Sequence, residues 1–181
     1  MKMHSARDRG PGYLVVVDAS EESESALRYA VRRAAAMGGH ITLLYIIPPA
    51  EFVQWGGVQD MIAAEALEDA EGALVRAADK VQQLSGIMPS LVVSKGKVVD
   101  EVISVIEADE TLSAIVLGAA TKGSPGPLVT HFSGERAGAL PLVVIIVPGA
   151  LGAEAIDLLT GDAPDMQPDD GAHTPRPATP L

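Results

Sequence analysis

Short aliphatic runs alternate along this chain with segments whose apolar residues recur at helical spacing. Five of these runs have the length and β-branched content of buried strands: 13–18, 41–47, 91–93, 114–117 and 142–147. Strands separated by helices of this length usually pair in parallel through right-handed crossovers, with the helices covering the sheet. The sequence therefore predicts an α/β domain with an open, five-stranded parallel sheet and helices on both faces.

The helix boundaries carry recognisable end signals. Ser20 is a good N-cap for the first helix, because its side chain can accept a backbone N–H and acidic residues follow it, and Gly38 marks the end. The longest helix is expected from about Asp60 to Ser85. A weaker helix, rich in small residues, is expected from Leu128 to Ala139.

The composition divides the chain into four parts. Residues 1–11 are expected to be flexible, 12–149 form the α/β domain, and 150–160 form a short amphipathic extension. Residues 161–181 are rich in Pro, Asp and Thr and have too few apolar residues to order themselves, so they are expected to be a disordered tail.

The formal net charge of −11 argues against nucleic acid as a partner, because phosphate binding requires clustered Lys and Arg. Arg28, Arg32 and Arg33 form the only basic cluster, and the i,i+4 spacing of Glu24 and Arg28 favours a solvated helix face. No run approaches the length of a membrane span or a signal peptide, so no membrane association is expected. The absence of cysteine fits a reducing compartment, and we expect a cytoplasmic protein.

Asp18 is the first candidate for a functional residue. It ends an apolar run and immediately precedes a helix. Ligands of open parallel sheets bind at the carboxyl ends of the strands, so this carboxylate could accept hydrogen bonds from a nucleotide or hold a metal. A structural role in capping the helix explains its position equally well.

The glycine-rich turn from Gly118 to Pro127 is the second candidate, because such a turn can direct backbone N–H groups at a phosphate. Neither common phosphate-binding glycine motif occurs in the chain. Phe52 and Trp55, in the loop after the second strand, could cover a ligand, although a lid packed on the long helix is the simpler interpretation.

Catalytic signals are weak, and we expect a protein that is not an enzyme. His131 is more typical of a surface or capping residue than of a base, and the remaining histidines are too scattered for a metal site. A phosphoacceptor receiver domain has the same alternation of strands and helices, but it needs an Asp at the end of its third strand. Ser94, Lys95 and Gly96 occupy that position here.

The order of these features resembles the universal stress protein family. The resemblance rests on Tyr13 to Ser23 and Ala26 to Ala30, on Gly96-Lys97 before Glu101 to Ile103, and on Ala114 to Gly118, and it spans about Tyr13 to Pro148. It implies a Rossmann-like sheet in the order 3-2-1-4-5 and a homodimer. In some members it also implies ATP or another adenine nucleotide at the strand ends, with Mg²⁺ only where ATP is bound.

The resemblance also implies roles for particular residues. Asp18 matches the acid that contacts the nucleotide, Ile46 the apolar residue that lines the base, and Leu117-Gly118 the start of the phosphate turn. ATP-binding members carry Gly-x-x-Gly, nine residues, and then Gly followed by Ser or Thr. Here Thr121 and His131 replace the second and third glycines, so Gly123 and Gly126 are the candidate backbone donors of an altered loop.

We therefore expect a binding or regulatory protein of the stress response. Its homodimer would form through the fifth-strand edge, Leu142 to Val147, because an uncovered apolar edge strand invites pairing. Two alternatives stay open: a dimeric partner module that binds no nucleotide, and a slow, metal-dependent ATP hydrolase that uses Asp18.

Overall fold

The computed structural model describes residues 10–18, 20–49, 58–134 and 137–161. Within these ranges, five strands form one sheet: β1 (Gly12–Val16), β2 (His40–Ile47), β3 (Ser90–Lys95), β4 (Leu112–Ala119) and β5 (Val143–Pro148). The helices are α1 (Glu21–Met37), α2 (Val58–Ser85), α3 (Val98–Ala108), α4 (Pro127–Phe132) and α5 (Ala153–Leu159). All neighbouring strands are parallel, and their order is β3-β2-β1-β4-β5, which confirms the predicted fold class.

The core has two layers, one on each face of the sheet. Alternate side chains of β1 separate into the two layers: Tyr13 and Val15 pack with α1 and α2, whereas Leu14 packs with α3 and α4. Leu14 and Val15 are both fully buried. A strand buried on both faces needs a continuous apolar run, which is why β1 reads as unbroken aliphatic sequence.

The predicted ends of α1 are confirmed. Ser20 is the N-cap, and its Oγ accepts the backbone N–H of Ser23 at 3.2 Å. Glu21, Glu22 and Glu24 lie in the first turn, where the helix dipole favours negative charge. Gly38 ends the helix in the left-handed conformation, with φ at 62°.

Two predicted boundaries were wrong. The first strand was expected to reach Asp18, but it ends at Val16. The Val17 N–H makes the last bond to β2, to the Leu44 carbonyl at 2.8 Å, and the Asp18 N–H donates instead to Ser23 Oγ at 3.4 Å. The helix expected from Leu128 to Ala139 is only the six residues of α4, followed by a turn and a short 3-10 helix at Ala137–Ala139. Ser133 and Gly134 follow α4, and these residue types propagate helices poorly.

The segment α5 adds a helix to the face that α1 covers. Ile156 is 1% exposed and belongs to the same core layer as Val147 of β5. Asp157 accepts two hydrogen bonds from Arg28, at 2.8 and 2.5 Å, and one from the Nε of Arg32 at 3.2 Å. The expectation of a solvated arginine face was therefore wrong for Arg28 and Arg32, which tie the extension to the domain.

The Arg28 hydrogen bond and the nearby guanidinium charges hold the pKa of Asp157 below its ordinary value of 3.8. A depressed folded-state pKa means that the ionised Asp157 stabilises the protein above about pH 4 and loses this effect as pH falls through the folded pKa. We predict that Asp157→Asn lowers the free energy of unfolding by about 1–2 kcal/mol at pH 7.

Urea denaturation of the wild type and the variant at pH 7 and pH 3 checks this prediction. The deficit of Asp157→Asn should be smaller at pH 3 than at pH 7, and Asp79→Asn, at an exposed position on α2, should match the wild type at both pH values. A deficit of Asp157→Asn that stays constant between the two pH values would contradict the assignment.

Candidate functional site

A cleft opens at the carboxyl ends of β1, β2 and β4, where the chain reverses its direction of travel across the sheet. Open parallel sheets bind their ligands at this switch point. The cleft has a volume of about 230 Å³. Its lining includes Asp18, Ile46, Leu117, Gly118 and Gly126, so the structure brings five of the six predicted site residues together. Gly123, the sixth, lies outside the lining.

Asp18 lies at the rim of the cleft with its carboxylate exposed. Its Oδ1 accepts the backbone N–H of Ser20 at 2.8 Å and the hydroxyl of Ser20 at 2.5 Å. The carboxylate thus orients the N-cap residue of α1 instead of capping the helix itself. Because Oδ1 carries both of these bonds, Oδ2 is the atom that could accept donors from a ligand.

Most of the other residues that line the cleft are apolar. Ile46 is 9% exposed at the end of β2, and Tyr45 and Val98 lie beside it in the lining. Leu128 and Val129 of α4 extend this apolar lining. An apolar lining with one exposed carboxylate suits a flat, partly apolar ligand that carries hydrogen-bond donors at one edge.

Gly118 is required by packing, whatever else it does. A Cβ at this position would overlap the backbone carbonyl of Glu22 in the first turn of α1. Leu117, the preceding residue, is buried in the layer formed by α3 and α4. The close approach of β4 to α1 therefore fixes one side of the cleft.

The loop after β4 is closed on itself. The Ala120 N–H donates to the Pro125 carbonyl at 3.3 Å, so this N–H is not directed at a ligand. Gly123 and Gly126 have φ values of 75° and 108°, a region that other residues rarely adopt. Gly126 is the N-cap of α4, and Pro125 and Pro127 on either side of it have no N–H to donate.

The charged residues that line the cleft are acidic. Asp18 and Glu22 line it, and its described lining contains no Lys or Arg. Lys122 belongs to the loop after β4 but is exposed and lies outside the lining. Within the described ranges, no group of three His, Asp or Glu residues is placed to hold a metal ion.

Ser23 is a site residue that sequence reasoning missed. It is buried in α1 and lines the cleft, and its Oγ donates to the Val16 carbonyl at 3.2 Å. This bond and the one from the Asp18 N–H tie the end of β1 to the start of α1. In the sequence, the only sign of this role is a small hydroxyl residue three positions after the N-cap.

Other predicted features lie elsewhere. Three parts of the chain fall outside the described residues: the loop with Phe52 and Trp55, residues 1–9, and the tail from 162 onward. None of the described helices is long and apolar enough to cross a membrane. A larger cavity, of about 550 Å³, lies between α1, α2 and α5. Three of its charged lining residues form ion pairs, Glu24 with Lys80 and Arg28 with Asp157.

Comparison with known proteins supports the resemblance noted in the sequence. Residues 13–131 match the sequence model of the universal stress protein family. The structure is similar to universal stress protein UspA from Lactobacillus plantarum, with a TM-score of 0.64 and 19% identity, covering 77% of this chain and 98% of that one.

Two further solved structures share the fold. A universal stress family protein from Burkholderia pseudomallei has a TM-score of 0.52 and 16% identity, covering 76% of this chain and 95% of its own. A universal stress protein in complex with cAMP has a TM-score of 0.54 and 16% identity, covering 79% of this chain and 100% of its own. No curated protein sequence matches the chain.

We predict that Gly118→Ala destabilises the protein by roughly 2–4 kcal/mol, because backbone atoms on both sides must move to admit the methyl group. Gly72→Ala in α2 is the control, since only the flexible end of Arg76 lies near its new Cβ. That change should stabilise the protein by about 0.5–1 kcal/mol. Urea denaturation measures both, and equal effects of the two substitutions would refute the packing role.

Proposed function

The chain belongs to the universal stress protein family, and we propose that it is a binding and regulatory protein of the stress response whose cleft holds an adenine nucleotide. The observation that carries this proposal is that an exposed carboxylate, Asp18, and apolar residues around Ile46 line the same cleft. The fold neighbour in complex with cAMP supports the same ligand class.

The adenosine part of the ligand fits the residues that line the cleft. An adenine ring would lie against Ile46 and Val98, where burial of its flat faces is favourable. The ribose hydroxyls would donate to Asp18, the usual role of an acid at the end of a strand in nucleotide-binding sheets. Both contacts lie within the described lining of the cleft.

The size and charge of the cleft favour a position of the phosphates outside it. Its volume of about 230 Å³ is smaller than the roughly 300 Å³ at which pockets for small molecules begin. Asp18 and Glu22 would repel a phosphate chain drawn inside. The phosphates would therefore lie at the mouth, beside the loop that contains Gly123 and Gly126, and Mg²⁺ would be needed only to shield a triphosphate.

The proposed activity is binding without turnover. A water activated by Asp18 would need a metal ion or a base beside it, and the carboxylate instead carries two hydrogen bonds to Ser20. Regulation would follow from occupancy of the cleft, because its walls come from α1, α4 and the ends of three strands.

We predict that Asp18→Asn weakens AMP and ATP binding about tenfold in isothermal titration calorimetry, since a charge-assisted hydrogen bond contributes about 1.5–3 kcal/mol. The variant should fold, because an Asn Oδ1 can still accept the Ser20 N–H. Asp109→Asn is the matched control: Asp109 makes the same pair of bonds to Thr111, but before β4, at the amino ends of the strands.

Two outcomes of this titration and one outcome of a phosphate-release assay are informative. Unchanged affinity in Asp109→Asn together with loss in Asp18→Asn supports the proposal. No binding by the wild type at millimolar nucleotide rejects it. Phosphate release by the wild type that disappears in Asp18→Asn would support the slow hydrolase instead.

The proposed functional unit is a homodimer joined through β5. This strand lies at one edge of the sheet, and Val143 and Ile146 are 62% and 39% exposed. Exposed apolar residues on an unpaired edge favour addition of another strand. If β5 of a second copy were added, the backbone groups of both edge strands would be paired.

We predict that Val143→Asp shifts the protein to monomer in sedimentation-velocity experiments, because two carboxylates would be buried across the interface. Leu91→Asp is the control on the opposite edge, where Leu91 of β3 is also exposed. A dimer that survives Val143→Asp but dissociates in Leu91→Asp would place the interface on β3.

A further inference from the structure

One side of α1 carries an acid, an aromatic residue and a base in a single row. Glu22, Tyr29 and Arg33 are separated by seven and four positions, so a helix with 3.6 residues per turn places them on the same side. Glu24 marks the opposite side, because it pairs with Lys80 of α2 and precedes Arg33 by nine positions, or two and a half turns. This row, the α1 row, therefore lies on the side of α1 that faces away from α2.

The α1 row lies beside the edge strand β5. A Cβ on Gly149, the residue that follows β5, would lie 3.1 Å from the Glu22 Cβ, which places Glu22 at the carboxyl end of this strand. The helix connects the parallel strands β1 and β2, so it runs back toward their amino ends. Arg33 lies about 16 Å further along the helix, which is close to the length of a six-residue strand. Arg33 is therefore level with the amino end of β5, where Val143 is exposed.

The charges at the two ends of the α1 row have no partner in the part of the chain that the structure describes. Arg28 and Arg32 both bind Asp157. Arg33 is half-buried and forms no hydrogen bond or ion pair there, and the same is true of Glu22. Because a half-buried charge is screened less than an exposed one, it gains more from an opposite charge. The row therefore favours an anion beside Arg33 and a cation beside Glu22.

A second copy of the chain can supply both charges. This step rests on the proposed homodimer, in which a two-fold axis places the two β5 strands side by side and antiparallel. Both α1 helices then lie on the same face of the joined sheet and run antiparallel, so the Arg33 end of each row faces the Glu22 end of the other.

The spacing of the strands allows these ends to meet. In one chain, α1 packs on both β4 and β5. Two α1 helices centred over their β4 strands would be three strand spacings apart, or about 14 Å. Helices with their side chains are about 10–12 Å wide, so side chains as long as Arg and Glu span the remaining gap.

We infer that two symmetric ion pairs join the α1 helices of the homodimer, Arg33 of each copy with the partner subunit's Glu22. A row with a base at one end and an acid at the other is self-complementary under a two-fold axis, so a second copy satisfies both ends at once. The pairs also determine the direction of the two β5 strands, since a parallel arrangement would place like charges together.

Charge reversal tests these pairs in the full chain by sedimentation velocity. Arg33→Glu and Glu22→Arg should each raise the Kd of the homodimer about tenfold or more, because like charges would then face each other at both pairs. An equimolar mixture of the two variants should recover a dimer of nearly wild-type affinity, since the mixed dimer places two carboxylates opposite two guanidinium groups. The weakening in each single variant should shrink in about 1 M NaCl, which screens the charges.

Arg76→Glu is the matched control, because it makes the same change in net charge as Arg33→Glu at an exposed position on α2, and it should leave the Kd unchanged. Wild-type affinity in Arg33→Glu overturns the ion pairs but not the β5 dimer, which Val143→Asp tests separately. Failure of the mixture to recover the dimer also overturns the pairs, since damage within one chain is not repaired by another. A monomeric wild type overturns the pairs together with the dimer on which they rest.

If Arg33→Glu does not fold, Arg33→Gln takes its place, because it removes the positive charge without adding an acid. This variant should raise the Kd about threefold, as expected for the loss of two partly exposed ion pairs. An unchanged Kd in Arg33→Gln overturns the inference.

Discussion

Burial of β1 on both faces is the constraint on which the other elements depend. Leu14 and Val15 fill opposite core layers, so helices must cover the sheet from both sides. With β1 in the centre, β2 and β4 become its two neighbours, and their carboxyl ends meet beside it. The position of the cleft, and of Asp18 at its rim, follows from this arrangement.

Contacts at the start of α1 determine the shape of the cleft. Ser23 ties the helix to the end of β1, and Gly118 lets the Glu22 backbone approach β4 closely. The short α4 and the self-closed loop before it hold part of the apolar lining in place.

Much of this fold could be predicted from local sequence, and part of it could not. The strands and the Ser20 cap carry short-range signals, and the strand ends that hold Asp18, Ile46, Leu117 and Gly118 followed from them and from the family resemblance. The contact of Arg28 with Asp157 joins residues 129 positions apart, which no local pattern reveals. The length of α4 was overestimated because small residues are compatible with both helix and turn. The position of Gly123 outside the cleft depends on how the loop closes, which composition does not determine.

Chemical-shift mapping of the backbone amides during titration with AMP tests whether the cleft at the strand ends holds an adenine nucleotide. We expect saturable shifts at Asp18, Ile46 and Gly118, which line the cleft, with no comparable shifts at Asp109. Saturable shifts elsewhere on the domain, with none at these three residues, would contradict nucleotide binding in the cleft.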